Sequence, residues 1–283
     1  MTGNLIKYEF RSGLRYIGII WAALIASALL LGIMLKVMGS VFPTDPQGIL
    51  ALMEVLFNLV PPLLYGIIMV AMIVVTIIIV VMRFYKGLLG DEGYLMHTLP
   101  VKPWQLITSK GIVASAVVII SIIAIVLSIF IIAGIQDMRG FADGFKEFMG
   151  VFGEEPRLIL VIIEVIVLSI FGTMASIYHI YAAMAIGQLT GKHRLLASLG
   201  AYIAINIALT VLATVIIVVG DMTGIDVWLS EWLWSIEASV GMNDDGFILV
   251  QAGLGAAFVV AVVQLAAFHV ITERILSKKL NLI

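Results

Sequence analysis

A single acidic residue lies inside an otherwise apolar run of the sequence: Glu164, in LILVIIEVIVLSIFG. A charged side chain near the middle of a membrane costs at least about 2.5 kcal/mol, and less towards the interface. Glu164 lies roughly 9 Å along a helix that begins at Leu158. Two interpretations stay open. The carboxylate either contacts a substrate or an ion on its route, or it is protonated or paired with Arg139 or Arg157 between helices.

Other polar side chains lie deep in the apolar runs. Asn206 and Gln264 carry amides, which at such depth mostly join helices by hydrogen bonds, with a contact on a transport path as the alternative. The hydroxyls of Ser121, Ser128 and Thr210 are expected to bond to the backbone of their own helix. These residues are therefore weaker candidates than Glu164.

The sequence indicates neither metal nor nucleotide chemistry. Its four histidines have no HExxH-type pairing, and His179 and His269 are expected to reach the headgroups from the ends of their helices. The segment GQLTGKH, residues 187–193, is similar to a phosphate-binding loop. Its glycines are one residue too close, however, and His193 occupies the position of the required Ser or Thr. We expect no catalytic residue, no metal site and no cofactor on this chain.

The elements that position these residues are predicted to be membrane-spanning helices. The chain has 283 residues, 62% of them hydrophobic and 12% charged, whereas a soluble domain carries about 25% charged residues. Crossing the hydrocarbon core takes about 20 apolar residues, and isolated strands in lipid would leave backbone groups unpaired. The fold class is therefore an all-α integral membrane protein with six spans, at about 16–35, 59–81, 112–135, 158–181, 195–219 and 247–271. Pro61 and Pro62 are expected in the first turn of the second span.

Orientation follows from the lysines and arginines of the connections. Twelve lie in the N-terminal segment, the second–third and fourth–fifth connections and the C-terminal segment, and four lie in the other connections. Both termini are therefore predicted to be cytoplasmic.

Two amphipathic segments accompany the spans. Lys7, Arg11 and Arg15 recur at a spacing of four, so residues 2–15 are predicted to form a basic helix on the inner membrane surface before the first span. On the other side, residues 220–246 carry Trp228, Trp232 and Trp234 among acids and glycines. This pattern is typical of short helices at the outer interface, with a lid over an exit route as the alternative.

The most polar internal segment is GDEGYLMHTLPVKP, residues 90–103, between the second and third spans. Acids favour the start of a helix, so Asp91 and Glu92 predict a short helix from Asp91 to about Thr98, which Pro100 and Pro103 end. A bare turn needs only a handful of residues. The extra length indicates a packing role or a partner on the cytoplasmic side.

This segment, continued by WQ and SK, resembles a recurring stretch of bacterial ABC-2-type permeases, the membrane subunits of ABC exporters. The C-terminal ITERILSKKLNL is similar to the ends of those subunits. The layout of an N-terminal amphipathic helix, six spans, cytoplasmic termini and an outer helical element is also similar along the whole chain. The resemblance implies a single transmembrane permease domain, 1–283, in the bacterial cytoplasmic membrane.

The resemblance further implies a coupling helix at residues 90–99 that docks on a separate ATPase, and a connecting helix at residues 2–15. The docking residues would be Gly90, Asp91, Glu92, Gly93, Tyr94, Leu95 and His97. The implied partners are two ABC ATPase subunits that carry ATP and magnesium, a second permease subunit in a homo- or heterodimer, and membrane lipid, with no nucleic acid. The chain itself would not be an enzyme. Peptides, lipids, drugs and ions all stay open as substrates.

Two other classes of function compete with this interpretation. A secondary, ion-coupled transporter would use Glu164 and would usually show two related halves, and the sequence shows no convincing internal repeat. A non-transporting membrane scaffold or sensor would use the 90–103 segment as a docking site. ATP hydrolysis by a co-purified ATPase distinguishes the exporter from both.

Overall fold

The structure is a computed structural model that describes residues 2–41, 47–89, 102–190, 193–239 and 246–278. Eight α-helices lie in these ranges: α1 Thr2–Val41, α2 Ile49–Phe84, α3 Pro103–Gln136, α4 Met138–Glu154, α5 Arg157–Gly187, α6 Arg194–Thr223, α7 Ile225–Ser239 and α8 Phe247–Lys278. A π-helical segment, Tyr85–Leu89, follows α2 directly. Strands do not occur in the described ranges.

Six of these helices are long and apolar enough to cross a membrane, namely α1, α2, α3, α5, α6 and α8. This confirms the all-α prediction and the number of candidate spans. Large apolar side chains on these helices are widely exposed, including Ile19, Ile67 and Ile217 at 70%, 63% and 70%. Such exposure suits a lipid surrounding, in which every backbone group is paired within its helix.

The second span begins earlier than the hydropathy pattern predicts. α2 starts at Ile49, directly after Gly48 with φ 64°, so Pro61 and Pro62 lie inside the helix. The prediction that they occupy its first turn is wrong. The apolar run before the prolines continues the helix, and neighbouring groups in a membrane protein compensate for the missing amide donors.

α1 is one continuous helix from Thr2 to Val41. The predicted connecting helix, residues 2–15, and the first predicted span, 16–35, are parts of this single element. Near its start Glu9 is tied to the end of α2, because Arg83 Nη1 lies 3.5 Å from Glu9 Oε2 and donates a hydrogen bond to the Glu9 carbonyl at 2.8 Å.

The chain forms two compact units. The first comprises Met1–Arg83 and Ile112–Leu158, and its core packs Leu24, Met72 and Ala124 from three helices. Polar bonds join the same helices: Trp21 Nε1 donates to Ser121 Oγ at 2.9 Å, and the Tyr65 hydroxyl lies 2.6 Å from Ser128 Oγ. Small polar residues of this kind typically hold membrane helices together.

The same unit contains an amphipathic helix that the sequence reasoning missed, α4. Asp137 caps it, because its Oδ1 accepts hydrogen bonds from the backbone amides of Arg139 and Gly140 at 3.1 and 3.0 Å. One face carries Phe141, Phe145, Phe148 and Phe152. Their spacing of three to four residues is the signal that identifies such a helix from sequence.

The second unit comprises Phe84–Gly111 and Ile159–Ile283. It contains most of α5 together with α6, α7 and α8. Gly224, with φ 66°, ends α6 and leads directly into α7, on which the rings of Trp228 and Trp232 stack 6.4 Å apart. The three residues predicted for a transport path, Glu164, Asn206 and Gln264, all lie in this unit.

Candidate functional site

The second unit is organised around a seam between α5 and α8. Three residues of α5 at intervals of seven, Glu164, Phe171 and Tyr178, face α8 in turn. Glu164 shares a cleft with Gln251, Phe171 packs edge-to-face on Phe258 at 5.0 Å, and Tyr178 lies 5.3 Å from the His269 ring. Because the partner residues also advance along α8, the two helices run parallel. A seven-residue interval keeps one face of a helix on a parallel neighbour.

The cleft lies where the seam begins, near the N-terminal ends of both helices. It has a volume of about 250 Å³ and is lined by Ile163, Glu164, Val167, Gln251, Leu254, Gly255 and Phe258. Five of these seven residues are apolar, so Glu164 and Gln251 provide the polar groups of the lining. Among the described residues, Glu164 Oε2 and Gln251 Nε2 are buried without a hydrogen-bond partner. The residues that line the cleft therefore include a hydrogen-bond acceptor and a donor without partners, in an otherwise apolar wall.

The structure separates the three residues predicted for a transport path. Asn206 is half-buried, donates its amide to the Tyr202 carbonyl at 2.9 Å, and lines a different groove on the surface of α6. Gln264 is half-buried and lies roughly 20 Å beyond Gln251 along α8, at 1.5 Å per residue. Of the three, only Glu164 lies in the cleft.

Gln251 is the partner that the sequence reasoning missed. It lies in the predicted 247–271 span, close to its start, as Glu164 does in the 158–181 span. The similar depth of the two residues could have indicated Gln251 as a candidate partner of Glu164. The pairing of the two helices depends on the seam, however, and cannot be predicted from one sequence.

The C-terminal end of the seam is an aromatic cluster. His179 is buried between Tyr202 and Phe268, with ring centroids 4.6 and 4.7 Å away and planes inclined by 21° and 11°. The expected headgroup role is therefore wrong for His179, because flanking rings from α6 and α8 enclose it. His269 is half-buried beside Tyr178. The cluster fixes α5 to both neighbours.

The same cluster holds the segments on either side of residues 90–101. Phe84, the last residue of α2, is fully buried and stacks on Tyr181 of α5 with centroids 3.8 Å apart. The Tyr181 hydroxyl donates to the Lys110 carbonyl at 3.4 Å. A Cβ on Gly111 would lie 2.6 Å from ring atoms of Tyr178, so α3 approaches α5 as closely as a glycine permits.

The π-helical segment, Tyr85–Leu89, follows Phe84 directly and packs against the Lys110 side chain. Its Gly87, Leu88 and Leu89 are buried, and the Lys110 side chain crosses so close to Gly87 that an added Cβ would lie 3.1 Å from Lys110 Cε. On the other flank, α3 starts with Pro103, and the Lys102 amide donates to Gln105 Oε1 at 3.1 Å.

The predicted docking residues lie outside the described residues: Gly90, Asp91, Glu92, Gly93, Tyr94, Leu95 and His97. Of the predicted connecting-helix residues, Lys7 and Arg11 are exposed on α1, and Arg15 lies on α1 with its side chain outside the description. The described residues contain no group of three or more His, Asp or Glu side chains that could hold a metal ion.

Comparison with known protein families, with characterised proteins and with solved structures finds no match to this chain.

Proposed function

We propose that this chain is the membrane permease subunit of an ATP-driven exporter of the ABC-2 type, driven by a separate ATPase that docks on residues 90–99. The resemblance of GDEGYLMHTLPVKP to the coupling segment of such permeases supports the proposal. The observation that carries it is the packing of both flanks of this segment, 84–89 and 102–111, in one unit with α5.

This packing offers a mechanical route from the docking segment to the spans. Phe84 precedes the segment and stacks on Tyr181, and Lys110 and Gly111 follow it and contact Tyr181 and Tyr178. A displacement of the segment therefore acts on two tyrosines of α5 that are three residues apart. Closely packed elements of this kind transmit displacement because their packing is not continuously deformable.

The proposed assembly contains two permease subunits and two ATPase subunits, with ATP and magnesium bound to the ATPases. Both termini of the permease lie in the cytoplasm, and the membrane is the cytoplasmic membrane of a bacterium. The asymmetry of twelve against four basic residues supports this orientation. The basic residues Lys7 and Arg11 at the start of α1 then lie beside anionic headgroups, and the Arg83–Glu9 contact joins this region to the end of α2.

The test is co-purification of the chain with candidate ATPases, followed by measurement of ATP hydrolysis in lipid nanodiscs. Asp91→Arg with Glu92→Arg is expected to abolish co-purification or to remove the effect of the permease on hydrolysis. The matched control is Asp143→Arg with Glu147→Arg, which makes the same change of charge on exposed residues of α4. Wild-type assembly and coupling in the Asp91/Glu92 variant would contradict the docking assignment.

The buried Glu164 oxygen favours an ion-coupled carrier as a second candidate, because an acid in a transmembrane cleft can bind a proton or cation. The two candidates differ in their energy source. A carrier transports in sealed proteoliposomes with an ion gradient and no ATPase, and Glu164→Gln removes that transport. The exporter needs ATP and its partner, whatever gradient is imposed.

A further inference from the structure

The cleft between α5 and α8 combines two polar atoms with a surface that accepts an apolar body. Glu164 Oε2 is a hydrogen-bond acceptor and Gln251 Nε2 is a donor, and both are buried without partners among the described residues. A buried polar atom without a partner costs about 1–3 kcal/mol. A ligand that both donates and accepts a hydrogen bond would recover this cost at both atoms.

The rest of the lining defines the other half of such a ligand. Val167, Leu254 and Phe258 form apolar walls, and Ile163 at the edge is 56% exposed, so the cleft opens to the surroundings of the helices. Gly255 contributes to the opening, because an added Cβ there would meet no atom within 4 Å. The space over Gly255 is thus free for an alkyl or ring system that lies along α8.

We propose that this cleft binds an amphipathic molecule through a neutral head group that donates one hydrogen bond to Glu164 and accepts one from Gln251, as a hydroxyl or a carboxamide does. The apolar part of the molecule packs on Leu254, Gly255 and Phe258. Ammonium groups satisfy only Glu164, and ethers satisfy only Gln251. The cleft therefore selects among molecules of equal apolar size by their hydrogen bonding.

This inference deepens the proposed function: the claim that the bound molecule is the transported substrate rests on the exporter assignment. The claim that the cleft binds such a molecule does not rest on that assignment, because the cleft is formed by α5 and α8 of this chain. Binding is therefore measured on the purified chain without an ATPase, and its outcome is independent of the co-purification test.

Four photoreactive probes with the same diazirine-bearing alkyl chain test the selection: an alcohol, a primary carboxamide, a methyl ether and a trimethylammonium. Each is incorporated into lipid nanodiscs that contain the chain, irradiated, and located by mass spectrometry of the labelled peptides. The alcohol or the carboxamide is expected to label the segments around Val167 and Leu254 about five- to tenfold more than the ether, the equivalent of one lost hydrogen bond. Preference between these two probes identifies the head group.

Variants test the assignment to the cleft. Gly255→Leu fills the apolar space and is expected to lower labelling by the preferred probe about tenfold or more. The matched control is Gly253→Leu, at a glycine of the same helix that also has no atom within 4 Å of an added Cβ but does not line the cleft. Glu164→Leu is expected to remove the preference for the alcohol or carboxamide over the ether, because only these two probes donate to Glu164. Gln251→Leu is expected to keep this preference and to lower labelling by all three probes, because each of them accepts from Gln251.

Two results would overturn the proposal. Equal labelling of the wild-type chain by the alcohol, the carboxamide and the ether would show that lipid chains occupy the cleft without recognition of a head group. Stronger labelling by the trimethylammonium probe would show that the carboxylate selects charge instead. Both results come from the wild-type chain, so they do not depend on whether a variant folds.

Discussion

Phe84→Ala is expected to destabilise the second unit strongly, because Phe84 is fully buried and its ring stacks on Tyr181 at 3.8 Å. The substitution removes roughly 100 Å³ of side chain, and an unrelaxed cavity costs about 24 cal/mol per Å³, or about 2.4 kcal/mol. Loss of the aromatic pair adds about 0.5–1.5 kcal/mol. The hydrophobic transfer of the ring contributes little to the free energy of unfolding, because an apolar surrounding also receives the ring when the unit unfolds in a membrane or micelle.

The free energy of unfolding is therefore expected to fall by roughly 3–4 kcal/mol. The assay is unfolding in mixed micelles by titration with a denaturing detergent, followed by circular dichroism and by tryptophan fluorescence. Phe84→Leu keeps most of the volume and loses the ring pair, so we expect a smaller loss, about 1–1.5 kcal/mol.

The control is Phe145→Ala, at an aromatic residue of α4 that is 55% exposed. Its expected cost is within about 1 kcal/mol, as for other exposed positions. A loss for Phe84→Ala within 1 kcal/mol of the control would refute the stack as the link between the end of α2 and α5. The route proposed for coupling would then lose its first contact.

Two further predictions concern close contacts between helices. Gly187→Ala is expected to destabilise the chain by about 1–3 kcal/mol in the same unfolding assay. The reason is that its Cβ would lie 2.5 Å from the backbone nitrogen of Ser198, which can move only with α6. The control, Gly200→Ala, is expected to be neutral or stabilising, because a Cβ there meets no atom within 4 Å. Trp21→Phe and Ser121→Ala are expected to show a coupling energy of about 0.6 kcal/mol in a double-mutant cycle, since each removes the same 2.9 Å hydrogen bond. Strictly additive losses would contradict that bond.

The number of candidate spans was predictable from the sequence because it depends on a single threshold, the length of an apolar run. The start of α2 was not, because Pro61 and Pro62 are signals for a helix start as well as tolerated interruptions inside a membrane helix. The helix α4 escaped prediction because it is too polar and too short to be a span. Only its periodic phenylalanines, such as Phe141 and Phe145, indicate it.

Of the two polar residues in the candidate site, Glu164 was predictable from the sequence and Gln251 was not. An acid in an apolar run identifies Glu164 by its cost alone, without any knowledge of its neighbours. Gln251 requires the register between α5 and α8, which is set by contacts such as Phe171 on Phe258. A single sequence shows which face of a helix carries unusual residues. It does not show which other helix packs on that face. The same limit led to the wrong expectation for His179, whose enclosing rings come from two other helices.

The helix α5 connects the two ends of the second unit. Its C-terminal half carries Tyr178 and Tyr181, which contact the flanks of the proposed docking segment, and its N-terminal half carries Glu164 in the cleft. About 25 Å of continuous helix separate Tyr181 from Glu164. Ring contacts close the seam with α8, edge-to-face at its middle and stacked at its C-terminal end, whereas the end at Glu164 is open. A tilt of α5 driven at the closed end therefore changes the width of the cleft.

The absence of cysteine from the sequence makes this motion directly measurable. Glu164→Cys with Gln251→Cys spans the cleft, and a short bifunctional thiol reagent is expected to cross-link the pair at a rate that changes when a bound partner ATPase is trapped with ATP. The control pair, Ile166→Cys with Ile170→Cys, lies one turn apart on the exposed face of α5 and is expected to cross-link at the same rate in both states. Rates that are independent of ATP at both pairs would show that α5 does not carry the displacement, since the reagent samples the width of the cleft itself.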